Sequence, residues 1–147
     1  MSLLDLWGAA QETTTTTLYW AFSYLLLHPK VKSRVEEELI SITKGQRPLI
    51  ITDCPNTPYY KATLNFNPDR YFSGDRVEQM VVPFGLGKRA CPGESLAQAE
   101  LYLIIGNLLL RYEVTGDPEH MPSMRARKQL GTTRMAQPYH IHFKRRQ

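Results

Sequence analysis

Three things are scarce in this 147-residue chain, and each scarcity removes a class of protein. There are two cysteines, Cys54 and Cys91, which is too few for a disulfide framework of the secreted kind. There is no long hydrophobic run. Leu18 to Leu27 and Leu101 to Leu110 fall short of the roughly 20 residues that cross a bilayer, and Gly106 and Asn107 interrupt the second. There is no heavy charge of one sign: 18 basic against 14 acidic residues leave +4. The excess sits in Arg125-Ala126-Arg127-Lys128 and in Lys144-Arg145-Arg146, which read as solvated loop and tail, not as a nucleic-acid patch. The start, Met1-Ser2-Leu3-Leu4-Asp5, lacks the basic residues of a signal peptide. What is present is ordinary globular composition, 42% hydrophobic and 22% charged, in a length suited to about one domain. No internal repeat occurs, and the one low-complexity stretch is Thr13 to Thr17.

The pattern is helical from about Leu3 to Leu27 and stops at His28, because the residue before a proline is pushed out of the α region. Pro29 opens a second helix, in which Val31, Val35 and Leu39 share one face above Glu36, Glu37 and Glu38. Lys44-Gly45-Gln46-Arg47-Pro48 breaks it. Residues 48–83, rich in Pro, Asn and Asp, read mainly as loop. A strongly helical run follows from Glu94 to about Tyr112. After Gly116-Asp117-Pro118 the chain is irregular, then extends where Tyr139, Ile141 and Phe143 alternate with His140, His142 and Lys144. His140 and His142 fit a polar strand face. As a metal pair they lack further ligands, since no Cys or acid lies nearby in sequence.

Phe84-Gly85-Leu86-Gly87-Lys88-Arg89-Ala90-Cys91-Pro92-Gly93 is the stretch with the most chemistry. It fits Phe-x-x-Gly-x-Arg-x-Cys-x-Gly, a pattern suited to a cysteine thiolate that holds a haem iron. Cys91 supplies a soft anionic sulfur close to a helix N-terminus, where unpaired N–H groups favour negative charge. Pro92 suits the first helical turn. Gly85, Gly87 and Gly93 permit positive φ and close approach to a flat ring. Phe84 is placed to shield the sulfur, and Arg89 to meet a propionate with its planar fork. The plainer alternative makes Cys91 an ordinary buried thiol in a Gly-rich turn. A cysteine nucleophile or zinc site is disfavoured, because no histidine stands near Cys91 in sequence and no second cysteine stands at metal spacing.

At these residues the chain resembles the haem-thiolate monooxygenases, the cytochromes P-450, and the likeness extends through Glu94-Ser95-Leu96-Ala97-Gln98-Ala99-Glu100. Ala9-Ala10-Gln11-Glu12-Thr13-Thr14 is similar to that family's acid–alcohol motif on the helix crossing the distal haem face. The resemblance gives Thr13 the hydroxyl that meets the oxygen being activated, and Glu12 the proton relay. Ala10 departs from the family's usual glycine. On residues alone, Glu12 also fits a solvated face and Thr13 a bond to the preceding turn's carbonyl.

Phe66-Asn67-Pro68-Asp69-Arg70-Tyr71-Phe72 resembles the segment whose arginine, here Arg70, completes a Glu–Arg–Arg cluster with a Glu-x-x-Arg helix. Thr57 to Asn65 is similar to the opening of that helix, but Phe66 and Asp69 stand where its Glu and Arg belong. The resemblance therefore implies an internal gap and an unpaired Arg70, which would be costly if buried.

The implied fold is mainly α: the C-terminal part of the cytochrome P-450 fold, incomplete, with part of the distal helix, the haem loop and its following helix, and small C-terminal β elements. Residues 1–65 would hold the distal and following helices, and 66–147 the meander, haem loop, proximal helix and β region. The implied activity is that of an oxidoreductase inserting one oxygen atom from O2 into a small hydrophobic organic substrate. Haem is the implied cofactor, held by Phe84, Gly87, Arg89, Cys91 and Gly93 with Cys91 on the iron; Glu12 and Thr13 are the implied catalytic pair. A flavoprotein reductase would supply electrons near Lys88, and residues 131–137 would close over the substrate. The implied location is intracellular, at the endoplasmic reticulum membrane, with the family's anchor missing from this chain. The alternative is a non-catalytic remnant or splice product lacking the Glu-x-x-Arg helix.

Overall fold

A computed structural model describes residues 2–64, 83–128 and 133–147. Its first helix, α1 (Leu3–Leu27), starts with a reciprocal cap. The Ser2 hydroxyl accepts the Asp5 N–H at 3.2 Å, and the Asp5 carboxylate accepts the Ser2 N–H at 2.8 Å. It ends at His28, and Pro29 opens α2 (Pro29–Thr43), as the Pro rule predicts. Lys44 ends α2 in the left-handed region at φ 57°, followed by Gly45 at φ 66°. Val35 and Leu39 on the expected face are fully buried. Two of the three neighbouring acids are engaged. Glu36 pairs with Arg146 at 2.8 Å, and Glu38 reaches the next helix.

The loop reading of residues 48–83 is corrected for its first third. A 3-10 turn (Ile51–Asn56) leads into α3 (Pro58–Thr63), which agrees with the helix opening noted at Thr57. Two side chains make these short pieces possible. The Asp53 carboxylate accepts both arms of the Arg47 fork, at 2.7 and 2.8 Å, and the Ile50 N–H at 3.0 Å. The Glu38 carboxylate accepts the Tyr59 and Tyr60 N–H groups at 3.1 and 2.8 Å, filling the open donors of α3. Phe66, Asp69 and Arg70 lie outside the described residues, as does the cluster argument built on them.

The long helix α4 (Glu94–Arg111) matches its expected span and packs against α1, α2 and the Ile51–Asn56 turn. The core lies where α1, α2, α3 and α4 meet: Phe22, Leu25, Val35, Leu39, Tyr60, Tyr102, Ile105 and Leu109. The Tyr60 hydroxyl donates to the Tyr102 carbonyl at 2.7 Å, and the Tyr102 and Thr57 hydroxyls meet at 2.8 Å. Gly106 and Asn107, which interrupt the apolar run, turn out to be docking residues. A Cβ on Gly106 would stand 2.5 Å from Leu49 Cδ2. Asn107 accepts the Leu49 N–H at 2.9 Å and donates to the Leu49 carbonyl at 3.1 Å.

Directly after α4 comes β1 (Tyr112–Gly116), a strand the sequence reading does not anticipate; it pairs antiparallel with β2 (Ile141–Arg145), from Tyr112↔Arg145 to Gly116↔Ile141. Arg146 is no solvated tail. Its N–H donates to the Arg111 carbonyl at 2.8 Å and its side chain to the Leu109 carbonyl at 3.2 Å, besides the pair with Glu36. The described residues are mostly helical with one small sheet, the mainly α class expected.

Candidate functional site

The Cys91 loop is closed by one backbone bond and shaped by two glycines. The Cys91 N–H donates to the Phe84 carbonyl at 2.8 Å, which makes residues 84–91 a compact turn. Gly85 (φ 75°) and Gly87 (φ 68°) hold left-handed conformations that side chains resist. Gly87, Lys88 and Arg89 form a single 3-10 turn. Gly93, at φ −100°, is the N-cap of α4, so its expected positive φ is not found. Pro92, expected in the first helical turn, instead precedes that cap, because the helix begins only at Glu94.

Cys91 is exposed, against the ordinary buried-thiol alternative. Phe84 is half-buried, and Lys88 and Arg89 are exposed. Leu86 and Leu96, before and after the cysteine, are 75% and 61% exposed. An open thiol between exposed leucines, on a loop whose glycines present backbone without side chains, fits a flat apolar group seated on sulfur.

On α1 both site candidates are already engaged. The Thr13 hydroxyl donates to the Ala9 carbonyl at 2.6 Å, and Thr17 repeats the bond to Thr13 at 2.8 Å. This is the back-bonding reading of the threonines. The Glu12 carboxylate accepts the Thr133 hydroxyl from the far end of the chain. Two further bonds hold that C-terminal segment on α1. Trp20 Nε1 donates to the Arg134 carbonyl at 2.7 Å, and the Tyr139 hydroxyl donates to the Tyr19 carbonyl at 2.8 Å. The stretch expected to close over the substrate therefore lies, in its described part, against the helix that carries Glu12 and Thr13.

Sequence reasoning missed one grouping. His140 does have an acid close by: Asp117, with His120 beside it. Twenty-three positions separate Asp117 from His140, so no local spacing signals the contact. Among the described residues, no helix is long and apolar enough to cross a membrane.

The family model described as Cytochrome P-450 matches residues 1–65 and 64–143, two stretches that meet where the internal gap was expected. A probable cytochrome P-450 of Caenorhabditis elegans, cyp-35D1, is 34% identical over an alignment covering 76% of this chain and 33% of the relative. Steroid 21-hydroxylase of Canis lupus is 26% identical, covering 99% of this chain and 41% of the relative. That alignment runs over 202 positions although this chain has 147 residues, so the relative carries segments this chain lacks. A zebra fish cytochrome P-450 solved with abiraterone superposes with a TM-score of 0.86 at 25% identity, covering 97% of this chain and 46% of that one. The chain thus spans between a third and a half of the length of the relatives it matches.

Proposed function

The chain belongs to the cytochrome P-450 family, and we propose that it serves haem-thiolate monooxygenation, with Cys91 as the axial ligand and an apolar organic molecule as substrate. The observation that carries this reading is the Cys91 loop: an exposed thiol, backbone-pinned to Phe84, two residues before the N-cap of α4. Haem held there would supply the redox-active iron at which O2 is activated and one of its atoms is passed to substrate. Everything else is the work of this chain's own residues. Gly85 and Gly87 keep side chains away from the ring face. Arg89, exposed on the same turn, is free to orient a propionate. Phe84, half-buried on the same loop, would shield the sulfur once a ring covers it.

Glu12 and Thr13 would handle protons for the oxygen being activated. With its proton on the Ala9 carbonyl, the Thr13 hydroxyl keeps acceptor capacity on its oxygen. Glu12 is reached by solvent and held by Thr133, so the C-terminal segment positions the relay acid. Lys88 offers an exposed positive charge to an acidic docking face, as a flavoprotein reductase would present. Steroid hydroxylases among the relatives favour a rigid apolar substrate, and the family resemblance supports an intracellular site at the endoplasmic reticulum membrane. The comparisons do not favour the alternative of a non-catalytic remnant, because the family match continues through the whole Cys91 loop and α4.

The test is the absorption spectrum of the reduced, haem-loaded chain with carbon monoxide. A strongly red-shifted Soret band is expected, abolished by Cys91→Ser and unchanged by Cys54→Ser. A spectrum that follows Cys54 and ignores Cys91 refutes the assignment.

A further inference from the structure

Where the two-stranded sheet ends, at the Gly116↔Ile141 pair, the chain leaves on the excursion 117–140 and returns. Asp117, His120 and His140 stand together at that base. Asp117 Oδ2 lies 3.2 Å from His120 Nδ1 and 3.2 Å from His140 Nδ1, and one potential ligand atom from each of the three residues lies within 4.8 Å of the others. The two imidazole rings are 4.2 Å apart, centroid to centroid.

The three residues are tied to each other through their backbones in a closed ring. The His120 N–H donates to the Asp117 carbonyl at 3.0 Å, the His140 N–H to the His120 carbonyl at 3.1 Å, and the Asp117 N–H to the His140 carbonyl at 3.2 Å. The carboxylate is oriented as well: Oδ1 accepts the Glu119 N–H at 3.0 Å, which leaves Oδ2 for the histidines. Such an outer bond is what fixes a metal-binding carboxylate in known sites.

We propose that Asp117, His120 and His140 form a binding site for a borderline divalent cation of the zinc class, ligated by one carboxylate oxygen and two imidazole nitrogens. Donor chemistry selects the ion: two imidazoles suit zinc, nickel or copper and disfavour calcium and magnesium. The two carboxylate–imidazole distances agree: a tetrahedral ion with ligand bonds of about 2.0–2.1 Å sets its ligands roughly 3.3–3.4 Å apart, close to the 3.2 Å of each. Three protein ligands leave one position for water.

Bound there, the ion staples the two ends of the excursion that carries Thr133 and Arg134 to α1. It is distinct from the Cys91 loop and would act on the position of the C-terminal segment, not on electron transfer.

The test uses zinc chloride and the full chain, stripped with a chelator beforehand, with histidine ring resonances as the readout. His120 and His140 should shift together and saturate, while His28 and His142 stay still as internal references. Competition against a chromogenic chelator should show His120→Ala and His140→Ala each weakening binding at least about tenfold. His142→Ala and Cys91→Ser should not change it. Unmoved His120 and His140 resonances at saturating zinc overturn the proposal, and so does an equal loss in His142→Ala. Because the ring shifts are read on the unsubstituted chain, a variant that fails to fold does not blunt the test.

Discussion

Tyr60, Tyr102, Leu39 and Ile105 at the junction of α2, α3 and α4 are at most 2% exposed, whereas Leu3, Trp7 and Leu86, on α1 and the Cys91 loop, are 65–85% exposed. The first region is closed by apolar contact and by specific polar bonds: Glu38 on the α3 donors, Asn107 on Leu49, and Tyr60 on Tyr102. The second is open, and among the described residues its bonds include the Ser2–Asp5 cap, the Glu12–Thr133 bond and the Cys91–Phe84 bond. The residues with recognisable chemistry, Glu12, Thr13, Arg89 and Cys91, all belong to the open region. Packing and chemistry are therefore separable here, and substitutions in the two regions should have opposite signatures.

The largest effect should come from the closed region. Leu39→Ala removes most of a fully buried side chain and leaves a cavity within the core cluster. A loss of about 2–5 kcal/mol is expected, read from the midpoint of a urea transition. A cost under about 1 kcal/mol would mean that the junction is loosely packed and would erase the contrast between the two regions.

That contrast also explains what could be read from the chain. The ends of α1, α2 and α4 were legible because local punctuation sets them: Pro29 after His28, Gly45 after Lys44, and the Pro92-Gly93 pair before Glu94. The Cys91 loop was legible because its chemistry needs fixed residue types at fixed spacing. What was not legible depends on partners distant in sequence. The strand β1 is five residues long and exists through pairing with β2. Arg146 resembles a solvated terminus until Leu109 and Glu36 are placed beside it. Gly106 and Asn107 resemble helix breakers, and only the position of Leu49 shows that they receive it. The acid beside His140 was missed for the same reason.

A smaller effect, visible only on acidification, should come from the rim of the closed region. Hydrogen bonds from Arg47, then from the Ile50 N–H, hold the Asp53 carboxyl below its ordinary range. Its folded value is thus lower than its unfolded value of about 3.9. The stability it contributes is fully present above that unfolded value and is lost as pH falls through the folded one. Asp53→Asn should therefore lower stability at neutral pH and flatten its decline below about pH 4. The difference between parent and variant should close as the pH drops. A constant difference across that range would show that Asp53 acts through shape and not through charge.

The smallest change in stability should come from the open region. Thr13→Val keeps the branched shape and removes one hydroxyl, whose bond goes to the Ala9 carbonyl. That carbonyl is within α1, where the regular helix bond already serves it, and Thr13 is exposed, so no buried group loses its partner. The expected change in stability is within about 0.5 kcal/mol. Under the proposed monooxygenase function, the functional effect should be the reverse of Leu39→Ala: haem content and the carbon monoxide spectrum unchanged, with less product formed per electron consumed and more peroxide released. If Thr13→Val instead lowers the melting transition as a core substitution does, α1 is covered in solution and the separation of packing from chemistry fails. If stability and coupling are both unchanged, the proton route avoids Thr13 and Glu12 becomes the residue to test, through its bond to Thr133.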